Sequence, residues 1–144
     1  ITDAAVTVPI GKVGKDALSL IRTTKDALVE AIKVVKDGHT LGDIGHAVQR
    51  TVERANFKVI EGLAGHGVGI AIHEDPVIYN YGQPGKGLPL IAGMVIAIEP
   101  MTSLSTKRAI QLSDDSFVTV DGSLSAHFEH TVLVTLKGGE VLTD

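Results

Sequence analysis

Residues 94–101 read Met94-Val95-Ile96-Ala97-Ile98-Glu99-Pro100-Met101, in which a fully apolar run, Met94 to Ile98, leads into an acid and a proline. The first five residues have the composition of a strand, and a proline cannot continue a central ladder, so the strand stops at Glu99. A stiff, β-branched run of this kind makes a rigid mount for the carboxylate at its end. Upstream of it lies a loop at 79–93 rich in Gly and Pro, and before that Gly62 to Gly69 holds four glycines and His66. Phe57 to Ile60 reads as a short strand. Further upstream the period changes. Ala17, Leu18, Ile21, Leu28, Ala31, Ile32 and Val35 recur at three- and four-residue steps, which predicts a helix ending at Asp37-Gly38. Thr40, with Asp43 three residues on, predicts the capped start of a second helix, carried by Ile44, Ala47, Val48, Val52 and Ala55 to about Asn56. Ile1 to Val8 is β-branched and extended, closed by Pro9 and Gly11. Downstream, strands are expected at Phe117 to Val120, Phe128 to Leu136 and Glu140 to Leu142. A strand, two helices, then strands with long loops predicts a layered α+β domain whose helices pack on one face of a sheet.

Composition narrows the function. The 144 residues suit one domain, and 44% hydrophobic content supplies a core. The net charge of -4 gives no electrostatic footprint for nucleic acid or an anionic membrane, and with aromatics at 3% there is little to stack on bases. No run approaches the roughly 18 apolar residues that span a bilayer. The absence of cysteine excludes disulfides and thiolate metal sites and is compatible with a reducing cytoplasm. The chain begins Ile1-Thr2-Asp3, already resembling mid-strand, which leads us to expect a processed or truncated product.

Four side chains carry candidate chemistry: Asp3, His66, Glu99 and Glu129. Each stands beside apolar residues or glycine, where a lone charge is costly to bury. Three carboxylates drawn together without a cation repel one another until one takes up a proton. A divalent metal removes that conflict, and carboxylates plus one imidazole suit Mn, Fe, Co or Zn. Spacing alone does not show that the four meet. Asp3 also reads as a frayed terminus, Glu99 as a solvated strand end and His66 as a hydrogen-bonding turn residue. The sequence His73-Glu74-Asp75-Pro76 is not the helical His-Glu-x-x-His zinc motif.

Longer motifs sharpen this. Gly65-His66-Gly67-Val68-Gly69 with His73-Glu74-Asp75-Pro76, Gly93-Met94, Ile98-Glu99-Pro100-Met101, and Ser123-Leu124-Ser125-Ala126-His127-Phe128-Glu129-His130-Thr131 closely resemble type I methionine aminopeptidases. With Thr2-Asp3 and Gly139 to Thr143 the resemblance covers nearly the whole chain. It implies the C-terminal half of a pita-bread fold, with residues 1–144 forming the C-terminal portion of a single catalytic domain. It implies removal of the initiator methionine from nascent proteins in the cytoplasm, through attack of metal-bound hydroxide on the first peptide bond. Two divalent ions belong to a complete site. Asp3 and Glu129 resemble the carboxylates that bridge both ions, His66 the single histidine ligand, and Glu99 a ligand that also serves proton transfer. His73 is similar to the histidine that contacts substrate and steadies the tetrahedral intermediate. The nearest rivals are an X-Pro aminopeptidase or prolidase, and an inactive pita-bread fragment or binding module.

Other histidines fall outside the expected set. His127 and His130 are read as alternating with Glu129 and facing away from it, and His39 and His46 as surface or packing residues. The family's further metal-binding aspartate, upstream substrate histidine and much of its methionine pocket have no counterpart in the chain. We therefore expect one metal position of near-normal composition and one weakened, and a fold that depends on the N-terminal half of the same domain. The family's pocket tryptophan aligns with Asp115, with Phe117 close by.

Overall fold

The computed structural model describes residues 1–143. Helix α1 (Lys15–Lys33) and helix α2 (Leu41–Arg54) follow a two-residue strand β1 (Ala4–Ala5). Nine of the remaining ten strands follow the helices in quick succession: β2 (Lys58–Val59), β3 (Ala64–Gly67), β4 (Glu74–Tyr79), β5 (Val95–Ile98), β6 (Met101–Ser103), β7 (Ala109–Gln111), β8 (Phe117–Thr119), β9 (Ser125–His127) and β10 (Glu129–Val134). Strand β11 (Gly139–Val141) ends the order. The architecture is α+β, as the order of patterns predicts.

The main sheet runs β1-β10-β5-β3-β4, with β11 also on β10, and every pairing in it is antiparallel. A second sheet runs β2-β6-β9, and β7 and β8 form a hairpin. The apolar stripes of the helices meet the main sheet in one core. Leu28, Ala31, Val35, Ile44, Val48 and Val52 pack with Ile78, Ile96, Ile98, Val132 and Val134. Each of these Leu, Ile and Val side chains, fully buried, contributes about 1.5–3 kcal/mol. Thr24 of α1, also buried, donates its hydroxyl to Leu20 O and lies 2.6 Å from Thr102 Oγ1 on β6, tying helix to sheet. The second helix starts as expected: the Asp43 carboxylate accepts both the backbone N–H and the hydroxyl of Thr40, each at 2.8 Å.

Strand alternation now sorts the faces. Ile96, Ile98, Val132 and Val134 point to the helices, so Ala97, Glu129 and Thr131 point the other way. His66 pairs with Ala97 and shares that side. The face of the sheet away from the helices is where the candidate chemistry collects.

Two expectations change. Ile1 to Val8 is not one strand: only Ala4 and Ala5 pair, opposite His130 and Glu129. Further along the same edge of β10, Val132 to Val134 are taken by β11. The glycine-rich segment and the residues after it supply two strands, β3 and β4, that local composition conceals. The ladder to β5 on one side of β3 and the ladder to β4 on the other outweigh the low strand propensity of glycine.

Candidate metal centre

His66 reaches the centre because the backbone on both sides of it is glycine. A Cβ on Gly65 would stand 2.2 Å from Ala97 O, and one on Gly67 would stand 2.1 Å from Asp75 O. Only a bare α-carbon lets β3 fit between β5 and β4 there. The imidazole is buried, and its Nδ1 lies 3.0 Å from Gly67 O, which fixes the ring and directs Nε2 into the cluster.

Glu99 leaves the end of β5 with its backbone carbonyl held by Asn80 Nδ2 at 3.0 Å. Its Oε1 lies 3.4 Å from His66 Nε2. Glu129 opens β10, and its Oε1 lies 4.0 Å from the same nitrogen. These three residues each offer one ligand atom within a common 4.8 Å. Asp3 meets His66 and His73 in a second such group, so His66 belongs to both. The Asp3 backbone is pinned to the sheet, since its N–H donates to Thr131 Oγ1 and its carbonyl accepts from that hydroxyl, both at 2.8 Å. Thus the structure gathers Asp3, His66, Glu99 and Glu129 around one imidazole.

Electrostatics reflect the crowding. Burial, then the neighbouring charges of Glu99 and Asp3, push the Glu129 carboxyl up to about 7. Its Oε1 is buried and has no hydrogen-bond partner. An orphaned carboxylate oxygen beside two further carboxylates and an imidazole nitrogen is a donor set that fits a divalent cation.

A cavity of about 510 Å³ adjoins the cluster. Glu99 and His73 line it, along with Leu63, Met101, Phe117 and His127. The His73 ring is exposed and stands edge-on to His66, with centroids 4.3 Å apart. Phe117 lines the cavity, while Asp115 sits with φ 66 in the tight connection between β7 and β8.

The reading of His127 needs correction. It stands two residues before Glu129 but in a different strand, β9, which pairs with β6, and its Nε2 lies 3.2 Å from Glu99 Oε2. Residues two apart share a face on a regular strand, so His127 stands on the Glu129 side and lines the cavity. The signal available in sequence was that even spacing. His130 does turn to the helix side, with Nδ1 2.9 Å from Thr143 Oγ1. His39 is exposed, its Nδ1 2.7 Å from Val34 O, and His46 is half-buried on α2.

Known proteins can now be set beside this geometry. A methionine aminopeptidase of Clostridium acetobutylicum is 43% identical over 142 residues, covering 98% of this chain and 57% of the relative. A crystal structure of methionine aminopeptidase from Thermotoga maritima matches with a TM-score of 0.96 at 49% identity, over 99% of this chain and 58% of that one. A prolidase from Pyrococcus horikoshii OT3 matches with a TM-score of 0.74 at 22% identity, over 99% of this chain and 36% of that one, a likeness of fold alone. The chain therefore spans somewhat more than half the length of the curated relatives it matches, and its fold is part of the pita-bread arrangement those structures share. The model of metallopeptidase family M24 matches residues 1–136, nearly the whole sequence including all four gathered ligand candidates, and the chain belongs to that family.

Proposed function

We propose that residues 1–144 are the C-terminal portion of a single methionine aminopeptidase catalytic domain, which removes the initiator methionine from nascent proteins in the cytoplasm. The observation that carries this reading is the meeting of His66, Glu99 and Glu129 beside a cavity whose wall includes Glu99 and His73. Similarity to methionine aminopeptidases at 43% and 49% identity supports the choice of substrate.

Asp3, His66, Glu99 and Glu129 would hold the metal. The donor types suit Mn, Fe, Co or Zn, and two ions would fill the complete site. The unpartnered Glu129 Oε1 and the raised carboxyl behind it are both relieved by a cation. A bound divalent ion lowers the pKa of water towards neutrality and so supplies a nucleophile. The second ion would need an aspartate from the N-terminal half of the domain, so this chain provides one position fully and the other in part.

The chain's own residues do the rest. Glu99, reaching both the cluster and the cavity, takes the proton of the attacking water and passes it to the leaving amine. His73 donates to the carbonyl oxygen of the N-terminal residue as charge develops there. Leu63, Met101 and Phe117 give the cavity apolar walls, and the resemblance to methionine aminopeptidases implies a small second residue in the substrate. The N-terminal half of the domain would also bring the upstream histidine and much of the methionine pocket.

Peptides test the proposal. The full-length protein, given a Met-Ala peptide and one with proline in second place, is expected to release methionine from the first. Preferential cleavage of the proline peptide would replace this reading with the prolidase-like one.

A further inference from the structure

The two oxygens of Glu99 face different imidazoles. Oε1 lies 3.4 Å from His66 Nε2 on the buried side, and Oε2 lies 3.2 Å from His127 Nε2 on the cavity side. His127 Nε2 is itself buried and has no aligned hydrogen-bond partner, although Glu99 Oε2 is within reach. A buried ring nitrogen requires a partner, and Glu99 Oε2 at 3.2 Å is the carboxylate oxygen in range.

The backbone of His127 is held from two directions. Thr7, on the segment that leaves β1, donates its hydroxyl to His127 O at 2.8 Å and accepts from His127 N at 2.9 Å. On the other side His127 pairs in register with Met101, two residues beyond Glu99. One hydroxyl thus couples the stretch that carries Asp3 to the strand that carries His127. The imidazole is fixed beside a carboxylate whose other oxygen faces the ligand cluster.

We propose that His127 is a positioning residue for Glu99, its Nε2 holding Oε2 towards the cavity so that Oε1 stays directed at His66 and Glu129, with Thr7 locking His127 in place. The proposal rests on the reading of Glu99 as a ligand and proton carrier. It assigns His127 no contact with the metal and no share in proton transfer.

The test uses the full-length protein with Co²⁺ as the probe metal and a Met-Ala peptide as substrate. His127→Ala is expected to weaken Co²⁺ binding by calorimetry on the order of 10-fold or more, to shift the visible Co²⁺ bands, and to lower kcat with little change in KM. His127→Gln, which keeps an N–H donor, is expected to recover most of each loss. Thr7→Val, which removes the clamp but not the imidazole, is expected to fall between wild type and His127→Ala and keeps the test open if His127→Ala folds poorly. Unchanged Co²⁺ affinity and bands in His127→Ala would overturn the assignment. So would a rise in KM alone, which marks a substrate contact instead. Glu99→Ala separates the two levels: if it retains metal and activity, the reading of Glu99 itself falls, whereas loss in Glu99→Ala beside an intact His127→Ala removes only the role of His127.

Discussion

Glu129 Oε1 and His66 Nε2 lie 4.0 Å apart, although their strands, β10 and β3, are separated in the sheet by β5. Small Ala97 on β5 leaves the space over which they meet: it pairs with His66 on one side and with Thr131, two residues past Glu129, on the other.

Burial of Glu129 beside the charges of Glu99 and Asp3, which outweighs the opposing pull of His127 and His66, makes the site pH-sensitive when it is empty of metal. Glu129 holds its proton up to about 7 in the folded chain, above its ordinary 4.5. A raised carboxyl stabilises the fold at low pH, and this contribution fades as pH climbs from the ordinary value through about 7. Metal-free protein is therefore expected to melt at lower temperature at pH 8 than at pH 5 as far as this group acts, and Glu129→Gln to flatten the trend. Calorimetric melts from pH 5 to 8 measure both.

Metal binding inherits the opposite slope. The ion must displace the Glu129 proton, so affinity is expected to fall by about tenfold per pH unit below 7 and to level off above it. Titrations in buffers of different ionisation enthalpy would show close to one proton released from this group at pH 6 and few at pH 8.

Removing a ligand candidate should end activity without unfolding the domain. In the full-length protein Glu99→Ala is expected to lower methionine release by on the order of 10²–10⁴-fold, the range for loss of a positioned acid–base group, and His66→Ala to abolish it by removing a metal ligand. Far-ultraviolet circular dichroism should stay close to wild type. Undiminished release by either variant would refute the assignment.

Gly65 offers a backbone test of the same centre. An alanine there would drive its Cβ to 2.2 Å from Ala97 O, forcing β3 away from β5. Gly65→Ala is expected to lose metal affinity with His66 still present. In the core, Ile98→Ala should cost about 2–5 kcal/mol, because Ile98 is fully buried between sheet and helices. Denaturant melts report both effects.

The N-terminal segment bears on what this chain needs around it. Ile1, Val6, Val8 and Ile10 are all exposed, Ile10 at 85%, and among the described residues β1 pairs only with β10. Such an edge and apolar strip promote association. Expressed alone, the 144 residues are expected to self-associate and to bind a hydrophobic dye, and co-expression with the N-terminal half to suppress both. A well-behaved 15.1 kDa monomer in light scattering would count against this dependence.

What the sequence determined by itself was periodic or local. The stripe from Ala17 to Val35, the Thr40–Asp43 cap and the apolar run before Glu99 each follow from interactions within a few residues, and each matches an element in place. The motifs around His66, Glu99 and Glu129 pointed to the family because several ordered words recur together. Tertiary structure decided the rest. Strands β3 and β4 form because neighbouring ladders accept glycine-rich backbone, Val132 to Val134 pair with β11 and not with the residues before Ala4, and Thr7 and Met101 hold the strand that carries His127 beside Glu99. Hydrogen bonds between strands distant in sequence set these outcomes, and no local pattern encodes which partner a strand will find.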